Sequence, residues 1–553
     1  MNEDKINLLK IIDQITYLLE LKGENVFKIN AFRKAYTIIS GISDDLSEMF
    51  DSGRLAAVPG IGRGILSIVA DYFNMGYSSA LRELEAEIPK GLIEINQIRG
   101  LGPKKAVQLY YDHEITDIAR LEAFCLSGGL ASVKGFTQAS ADKLLQHIIA
   151  YKQNQTQLRL DAATMIVSDI EEKMRSISKI ELFSVSGDFR RSMEVISQLE
   201  FVIMTKDTAT VLTELRDVLA LPDLEYGTVS SYKGKTKLLI HLEEEQAGFF
   251  RKLYTTTGSS EFVQKYDAKI SIGKEVNSEV DIFDYFGFEY IIPEMREAGL
   301  LPRIHDARFE GSDLFPEDFK GCFHFHTNYS DGSNTLQEMV SAGIAMGYDY
   351  FAVCDHSKAS FQANGLSEER VFQQKEEISR VADALGVTIF HGIEADILRD
   401  GTLDYGDEFL NNFDFVVASI HSRFSQNKED MTARIIRAVE NRHADVLGHP
   451  SGRILLERPE FEADFDKIID ACKANDVALE INASAYRLDL DWRRIYRARE
   501  IGCKFSINPD AHSTTQLKSV EYGIRIARKG GMDSNEVINC LALDEFRQFI
   551  RRK

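Results

Sequence analysis

The stretch GCFHFHT, Gly321 to Thr327, places two imidazoles two residues apart at the end of a short apolar run. Residues i and i+2 of a strand point to one side, so His324 and His326 are expected to serve one site. Six further runs of the same character follow: YDYFAVCDH, GVTIFHGIE, FDFVVASIH, ADVLGHP, VALEINAS and KFSINPDAH. Amphipathic helical stretches separate them, a pattern that predicts a parallel α/β arrangement. In a β/α barrel the active site is built at the carboxyl ends of the strands, and polar, metal-capable residues close most of these runs. Collecting them gives His324, His326, Asp331, His356, Glu394, His421, His449, Asp510 and His512. Left unpaired, such a cluster would carry a severe desolvation cost, so it is expected to bind two or three divalent ions.

The remainder of the chain sets the context of this cluster. At 553 residues it is too long for one core, and 44% hydrophobic residues allow ample burial. A net charge of -21 excludes indiscriminate coating of nucleic acid but not a local docking patch. The first 25 residues are charged and helix-periodic, without an apolar run of secretory or membrane-spanning length, which predicts a cytoplasmic protein. Six scattered cysteines with no Cys-x-x-Cys pair read as reduced thiols. Eight of the twelve histidines lie after residue 320, which points the metal chemistry to the carboxyl end.

Residues 1 to about 150 read as helices broken by glycine turns, among them VPGIGRGI and IRGLGPKKA. Each turn sits just before a helix, so backbone N–H groups can face a phosphate. These segments resemble the helix-hairpin-helix motif, which holds DNA backbone without reading sequence. Gly60, Gly62, Arg63, Gly100, Gly102, Lys104 and Lys105 are the expected contacts. A third copy, VKGFTQASADKLL, has Thr137 at the second glycine and is expected to be weakened. Residues 1–150 hold 16 basic and 19 acidic side chains, so DNA affinity there should be weak and salt-sensitive.

Between these regions, GDFRRSMEVISQLE (Gly187 to Glu200) resembles the signature of family X DNA polymerases, with YTTTGSSEF and GFEYIIPEMRE matching later segments of that family's palm and thumb. In the family three carboxylates hold the catalytic metals. The corresponding positions here are Gln198, Glu200 and, counted back from the Thr-Gly-Ser segment, Ile240, while Asp188 stands in the glycine-serine turn. Two-metal phosphoryl transfer needs bridging carboxylates, so templated polymerisation is expected to be lost or severely impaired. The expected lyase lysines fall on Gly64 and Ile68, which implies that deoxyribose-phosphate lyase activity is absent too.

The carboxyl-terminal segments HFHTNYSDG, CDHS, GIEADIL, SIHS, GHPSGR and NPDAHS resemble the polymerase and histidinol phosphatase (PHP) family, in family order and with every ligand type present. Lys358, Arg423 and Arg453 follow ligands directly and are candidates for holding a substrate phosphate. His391 is expected to pack rather than ligate, and His305 to lie on the surface. The resemblance implies a bacterial family X polymerase fused to a PHP domain. Its expected parts are a helical amino-terminal domain (1–85), a fingers-like helical domain (86–155), a degenerate α+β palm and thumb like that of polymerase β (156–300), a linker (301–316) and a distorted (βα)7 PHP barrel (317–553). Its implied activity is manganese-dependent 3'-5' exonuclease action on gapped, nicked or 3'-ended DNA, with cleavage at abasic sites in some members. Imidazole-rich sites also accept zinc or iron. The rival readings are a small-molecule phosphatase of the histidinol-phosphate type, a functional polymerase, and a silent DNA-binding scaffold.

Overall fold

A computed structural model describes residues 3–40, 42, 46–220, 228–233, 236–267, 276–287, 289–298 and 312–550. The chain forms two compact units, Met1–Gln155 and Thr156–Lys553. The first contains helices α1 (Glu3–Leu21), α2 (Val26–Ser40), α3 (Leu46–Asp51), α4 (Arg63–Met75), α5 (Ser79–Glu87), α6 (Lys90–Asn96), α7 (Pro103–Asp112), α8 (Ile118–Leu126) and α9 (Gln138–Asn154). Apolar residues recurring at helical spacing bury one stripe of each helix, and α1 packs on both α5 and α7. One core runs from Leu8 to Ile148, so the expected division at residue 85 separates no independent cores.

The second unit begins with β1 (Leu158–Arg159) and α10 (Leu160–Arg175). A four-stranded sheet follows, built from β2 (Leu182–Ser186), β4 (Gln198–Met204), β5 (Thr228–Lys233) and β6 (Thr236–Glu243) in the order β2-β4-β6-β5, while the short β3 (Val195–Ile196) pairs with β1. β4 runs parallel to β6, and β2 and β5 run antiparallel to their neighbours.

All seven strands expected in the last part form: β7 (Gly321–Phe323), β8 (Tyr350–Val353), β9 (Thr388–Asp396), β10 (Phe415–Ser419), β11 (Val446–Leu447), β12 (Ala478–Asn482) and β13 (Phe505–Asn508). They lie in sequence order and are parallel throughout. A bridge between Phe325 and Ala511 draws the first and last strands together, and the Asn539 amide donates to Gly321 O at 3.2 Å and Ile507 O at 3.0 Å across the same seam. The result is a nearly closed (βα)7 barrel.

Phe323, Tyr350, Phe390, Phe415 and Val446 fill its interior, and the helix Leu543–Ile550 inserts Phe546 and Phe549 among them. The Phe546 ring stacks on Phe323 at 4.5 Å between centroids. That apolar plug leaves the opposite end to the polar residues.

The sheet region and the barrel share one hydrophobic core, from Leu160 through Met295 to Val537. Of the expected linker, residues 301–311, with His305, lie outside the described residues. The rest packs on the barrel: Leu314 is buried and Ser312 Oγ donates to Met532 O at 2.5 Å. No helix among the described residues is long and apolar enough to cross a membrane.

Removing the plug tests this packing. Phe546→Ala should destabilise the second unit by about 3–5 kcal/mol, the cost of a large buried aromatic, measured by denaturant unfolding; a loss below about 1 kcal/mol would show that the barrel floor stands without it.

Candidate metal centre and its surroundings

Each expected ligand stands where a strand ends. His324 and His326 follow β7, His356 follows β8, Glu394 lies near the end of β9, His421 follows β10, His449 follows β11, and Asp510 and His512 follow β13; Asp331 comes from the loop after β7. Three of them, His324, His449 and Asp510, have positive φ (48°, 26° and 48°), a conformation non-glycine residues adopt at a cost. The backbone bends there to turn the side chains inward.

The structure brings all nine together, with the Glu394 carboxylate at the hub. Its oxygens lie 3.3 Å from His324, 3.8 Å from His326, 2.7 Å from His356, 3.1 Å from His421 and 3.0 Å from His449. Asp510 lies 3.0 Å from His326 and 3.6 Å from His324, and Asp331 lies 3.3 Å from His512 and 3.6 Å from His356. Three groups of ligand atoms are close enough to hold an ion: His326, Asp331, His356 and His512; His324, His326 and Asp510; and His356, Glu394 and His421.

Burial alone would push the Glu394 carboxyl up, but His421, His356 and His324 outweigh it and hold it well below the usual range. Burial likewise opposes protonation of His421 and His512, yet Glu394 and Asp396 lift the first to about 10, and Asp331 and Asp510 lift the second to about 9. His326 falls to about 3 through burial and the neighbouring His512 and His356, and His449 to about 4 through burial and Arg487. Neutral imidazoles of this kind are the form that ligates metals, while the acids around them demand positive charge. The donor set fits divalent ions on a second count as well. His324 Nε2, His356 Nδ1 and Glu394 Oε2 are buried without an aligned hydrogen bond, a costly arrangement that coordination relieves.

Two acids outside the expected set orient the ligands. Glu480, fully buried on β12, lies 2.6 Å from His324 Nδ1 and accepts from the His449 N–H at 2.6 Å and Asn508 at 2.7 Å. Asp396 lies 2.6 Å from His421 Nδ1. Each leaves Nε2 of its histidine facing Glu394, the usual outer partnership of a metal-binding imidazole. Sequence signals for both existed: an acid inside the apolar run VALEINAS, and an acid two residues after Glu394 on the same strand face. His391 packs as expected, its Nε2 3.2 Å from Gln374 Oε1.

The three cations expected to hold phosphate are placed elsewhere. Arg453 is largely enclosed and spent on Asp491 at 2.9 Å, Glu194 at 3.4 Å and the carbonyls of Arg487 and Leu488. Lys358 pairs with Glu368 at 3.1 Å and lies over the Tyr405 ring. Arg423 is exposed and is not among the residues lining the metal-site cavity. That cavity, of about 290 Å³, is lined instead by Arg458 and Arg487 beside Asp331, His356, Glu394, His421, Asp510 and His512. Neither arginine directly follows a ligand in the sequence, so adjacency could not find them.

In the sheet region, Gln198 donates to Glu200 Oε1 at 2.7 Å, and His241 Nε2 stands 3.4 Å from Glu200 Oε2. Ile240 does not share that face: it is buried in the core, in register with Phe201, so the β6 side chain beside Glu200 is His241. The sequence count was one residue out of phase, and a one-residue shift turns a strand residue to the other face. Asp188 accepts from Arg191 at 2.5 Å, and Arg191 also donates to Glu297 at 2.9 Å and Thr257 O at 2.7 Å. No metal-holding group was found there among the described residues.

In the first unit the three hairpins share one backbone form: Gly60, Gly100 and Gly135 have φ of 101°, 88° and 93°. A Cβ on Gly60 would stand 2.4 Å from Ile38 Cδ1, so this turn requires glycine in conformation and in space. α4 and α7 start at Gly62 and Gly102 with no side-chain cap, which leaves their first N–H groups facing outward partners. In the third hairpin Thr137 and Ser140 satisfy each other's N–H groups at 2.8 and 3.2 Å, the physical form of its weakening. Arg63 and Lys104 are exposed, whereas Lys105 lies over the Phe136 ring at 4.3 Å.

A family model for the PHP domain matches residues 323–484, and one for a helix-hairpin-helix domain matches residues 3–78. The chain is 33% identical over 572 residues to the DNA polymerase/3'-5' exonuclease PolX of Bacillus subtilis (strain 168), spanning 99% of both chains. Proteins named "Probable phosphatase" from Acetivibrio thermocellus and Vibrio parahaemolyticus are 29% and 28% identical, across 42% and 40% of this chain and 94% and 88% of theirs.

The oriented-imidazole geometry makes a direct prediction. Glu480→Gln should weaken manganese binding about 10- to 100-fold in a calorimetric titration; unchanged affinity would mean that His324 needs no orienting acid.

Proposed function

Because the chain belongs to the family of the DNA polymerase/3'-5' exonuclease PolX, we propose that it is a DNA-binding, metal-dependent phosphodiester hydrolase that shortens 3' ends, while its polymerase-like region no longer extends them. The observation that carries this reading is the contrast between two sites. At the barrel mouth nine ligands converge on Glu394, with Glu480 and Asp396 orienting the imidazoles. In the sheet region Gln198 stands where the family has a carboxylate, the β6 side chain beside Glu200 is His241, and Glu200 is hydrogen-bonded to Gln198. One carboxylate tied to a neutral amide is a poor basis for a two-metal site.

Two or three ions, manganese by family resemblance with zinc and iron as chemical alternatives, would supply a nucleophile ionised near neutral pH and neutralise charge on the phosphate. The protein's own residues hold the imidazole planes, keep His326 and His449 neutral, and present Arg458 and Arg487 to the cavity. Uncapped α4 and α7 supply N–H groups for DNA backbone. We assign the protein to end processing in cytoplasmic DNA repair, and the family resemblance extends this to cleavage at abasic sites, as in some members of the family.

The test is a 5'-labelled primer on a template with manganese, with and without nucleotides, beside a His324→Ala, Asp510→Ala double variant. The parent should shorten the primer, and the variant should lose more than the roughly 10- to 100-fold that an outer-shell partner costs. Extension in the presence of nucleotides would overturn the reading of the polymerase-like region. Intact DNA together with phosphate release from small phosphomonoesters would favour the phosphatase reading, which the similarity to probable phosphatases supports.

The grip is tested separately. Lys104→Ala should weaken DNA binding uniformly across sequences and lower the salt slope by about one, measured by fluorescence anisotropy. Lys105→Ala should do less, since its ammonium already faces Phe136.

A further inference from the structure

Beside the metal centre lies a second cavity, of about 460 Å³, bordered by only two of the ligands. It shares Ile454, Arg487, Asp510 and His512 with the metal-site cavity, so the two cavities adjoin in one cleft across these side chains. Its walls come from both parts of the second unit: the loop after β12, with Tyr486 and Arg487, and Asp161 at the start of α10 in the polymerase-like region.

The chemistry changes along the cleft. Where the two cavities meet stands Arg487, whose Nη1 is buried without a hydrogen-bond partner and whose Nε lies 3.5 Å from Asp510. Beyond it, on the wall not shared with the metal centre, Tyr486 is 50% exposed and its ring lies on the Arg159 guanidinium at 3.7 Å. Asp161 and Glu457 line the same part. Their carboxylates repel a phosphate, whereas a flat aromatic face suits a neutral base; the part-buried guanidinium at the junction, with its unpaired Nη1, suits an anion.

We propose that this cleft receives the last nucleotide of a DNA strand, with the terminal base stacked on Tyr486, the ring held from behind by Arg159, and the scissile phosphodiester against Arg487 at the metals. The proposal rests on the nuclease reading above and deepens it, because it names what distinguishes a strand end from a small phosphomonoester. Stacking tolerates any base, since every base offers a π-face. It also gives the polymerase-like region a part in hydrolysis: Arg159, which fixes the ring, belongs to β1 of that region.

The full-length protein with manganese is given two 5'-labelled single strands, identical except that one ends in an ordinary 3' nucleotide and the other in an abasic tetrahydrofuran residue. The parent should prefer the base-bearing end by about 5-fold or more in kcat/KM, the lower bound for one stacked base. In Tyr486→Ala that preference should collapse towards unity through a rise in KM, while Tyr486→Phe and Tyr486→Trp retain it and Arg159→Ala reduces it. Tyr486 is half exposed, so its truncation leaves the core intact. A parent without preference, or a Tyr486→Ala variant that keeps the parent's, overturns the subsite and leaves the nuclease reading standing. Failure of the parent to shorten either strand removes the nuclease reading, and the subsite falls with it.

Discussion

A carboxylate sealed inside a protein must meet positive charge, and the second unit is arranged around that demand at Glu394. This side chain is 1% exposed and stands within 4 Å of five imidazoles. Those imidazoles come from four other strand ends, so the cluster exists only if the parallel strands run in order around a barrel. Phe546 and Phe549 close the barrel floor, which confines the polar groups to one mouth. The strained backbone at His324, His449 and Asp510 fits the same demand, since ideal strand geometry would not aim all nine donors inward.

A second set of buried charges fixes the polymerase-like region to the barrel. Glu297 accepts from Arg191 at 2.9 Å and from Lys529 at 2.6 Å, and Glu194 faces Arg453 and Arg493 at 3.4 Å each. Arg190 makes two bonds to Glu279, which also takes Arg296. In the buried cluster of Glu297, Arg191 and Lys529, removing one partner leaves an uncompensated charge at a cost of about 3–5 kcal/mol, whereas the half-exposed Arg493 contributes little. Arg190, Arg191 and Glu194 are the parts of the polymerase-like signature that remain. Their survival beside Gln198 has a structural reason that needs no nucleotide: Glu194 pairs with Arg453 and Arg493 of the barrel, Arg191 shares Glu297 with Lys529 of the barrel, and Arg190 braces the region internally through Glu279.

Local pattern carried the fold and the metal ligands, because both depend on short-range order. Seven apolar runs ending in donors fix strand order and gather the donors at the carboxyl ends of the strands. What stayed hidden depends on contacts far apart in sequence. Arg453 follows a ligand, yet Glu194, 259 residues earlier, takes it out of the site. Arg487 lies in a loop whose neighbours give no sign of a metal. Counting back from the Thr-Gly-Ser segment cannot resolve strand phase, which is why it lands on Ile240 although His241 is the β6 side chain beside Glu200. Leu8 and Ile148, and likewise Leu160 and Val537, belong to shared cores, a long-range feature that composition does not reveal.

The acidity of the chain bears on how such a protein would select its substrate. A net charge of -21 suppresses sequence-independent attraction to DNA, and the two uncapped hairpin helices offer a few backbone donors and not a basic surface. A grip of that kind is weak at every phosphate and indifferent to position along the strand. Discrimination must then arise where the chemistry occurs. Within a duplex each base is already stacked on two neighbours, and bringing its face onto Tyr486 would cost a few kcal/mol of unstacking. A terminal nucleotide carries less of that cost. With the proposed subsite at Tyr486, a preference for ends would need no recognition of the end itself: it would follow from a cleft that rewards one exposed base face and from a grip too weak to overcome stacking elsewhere.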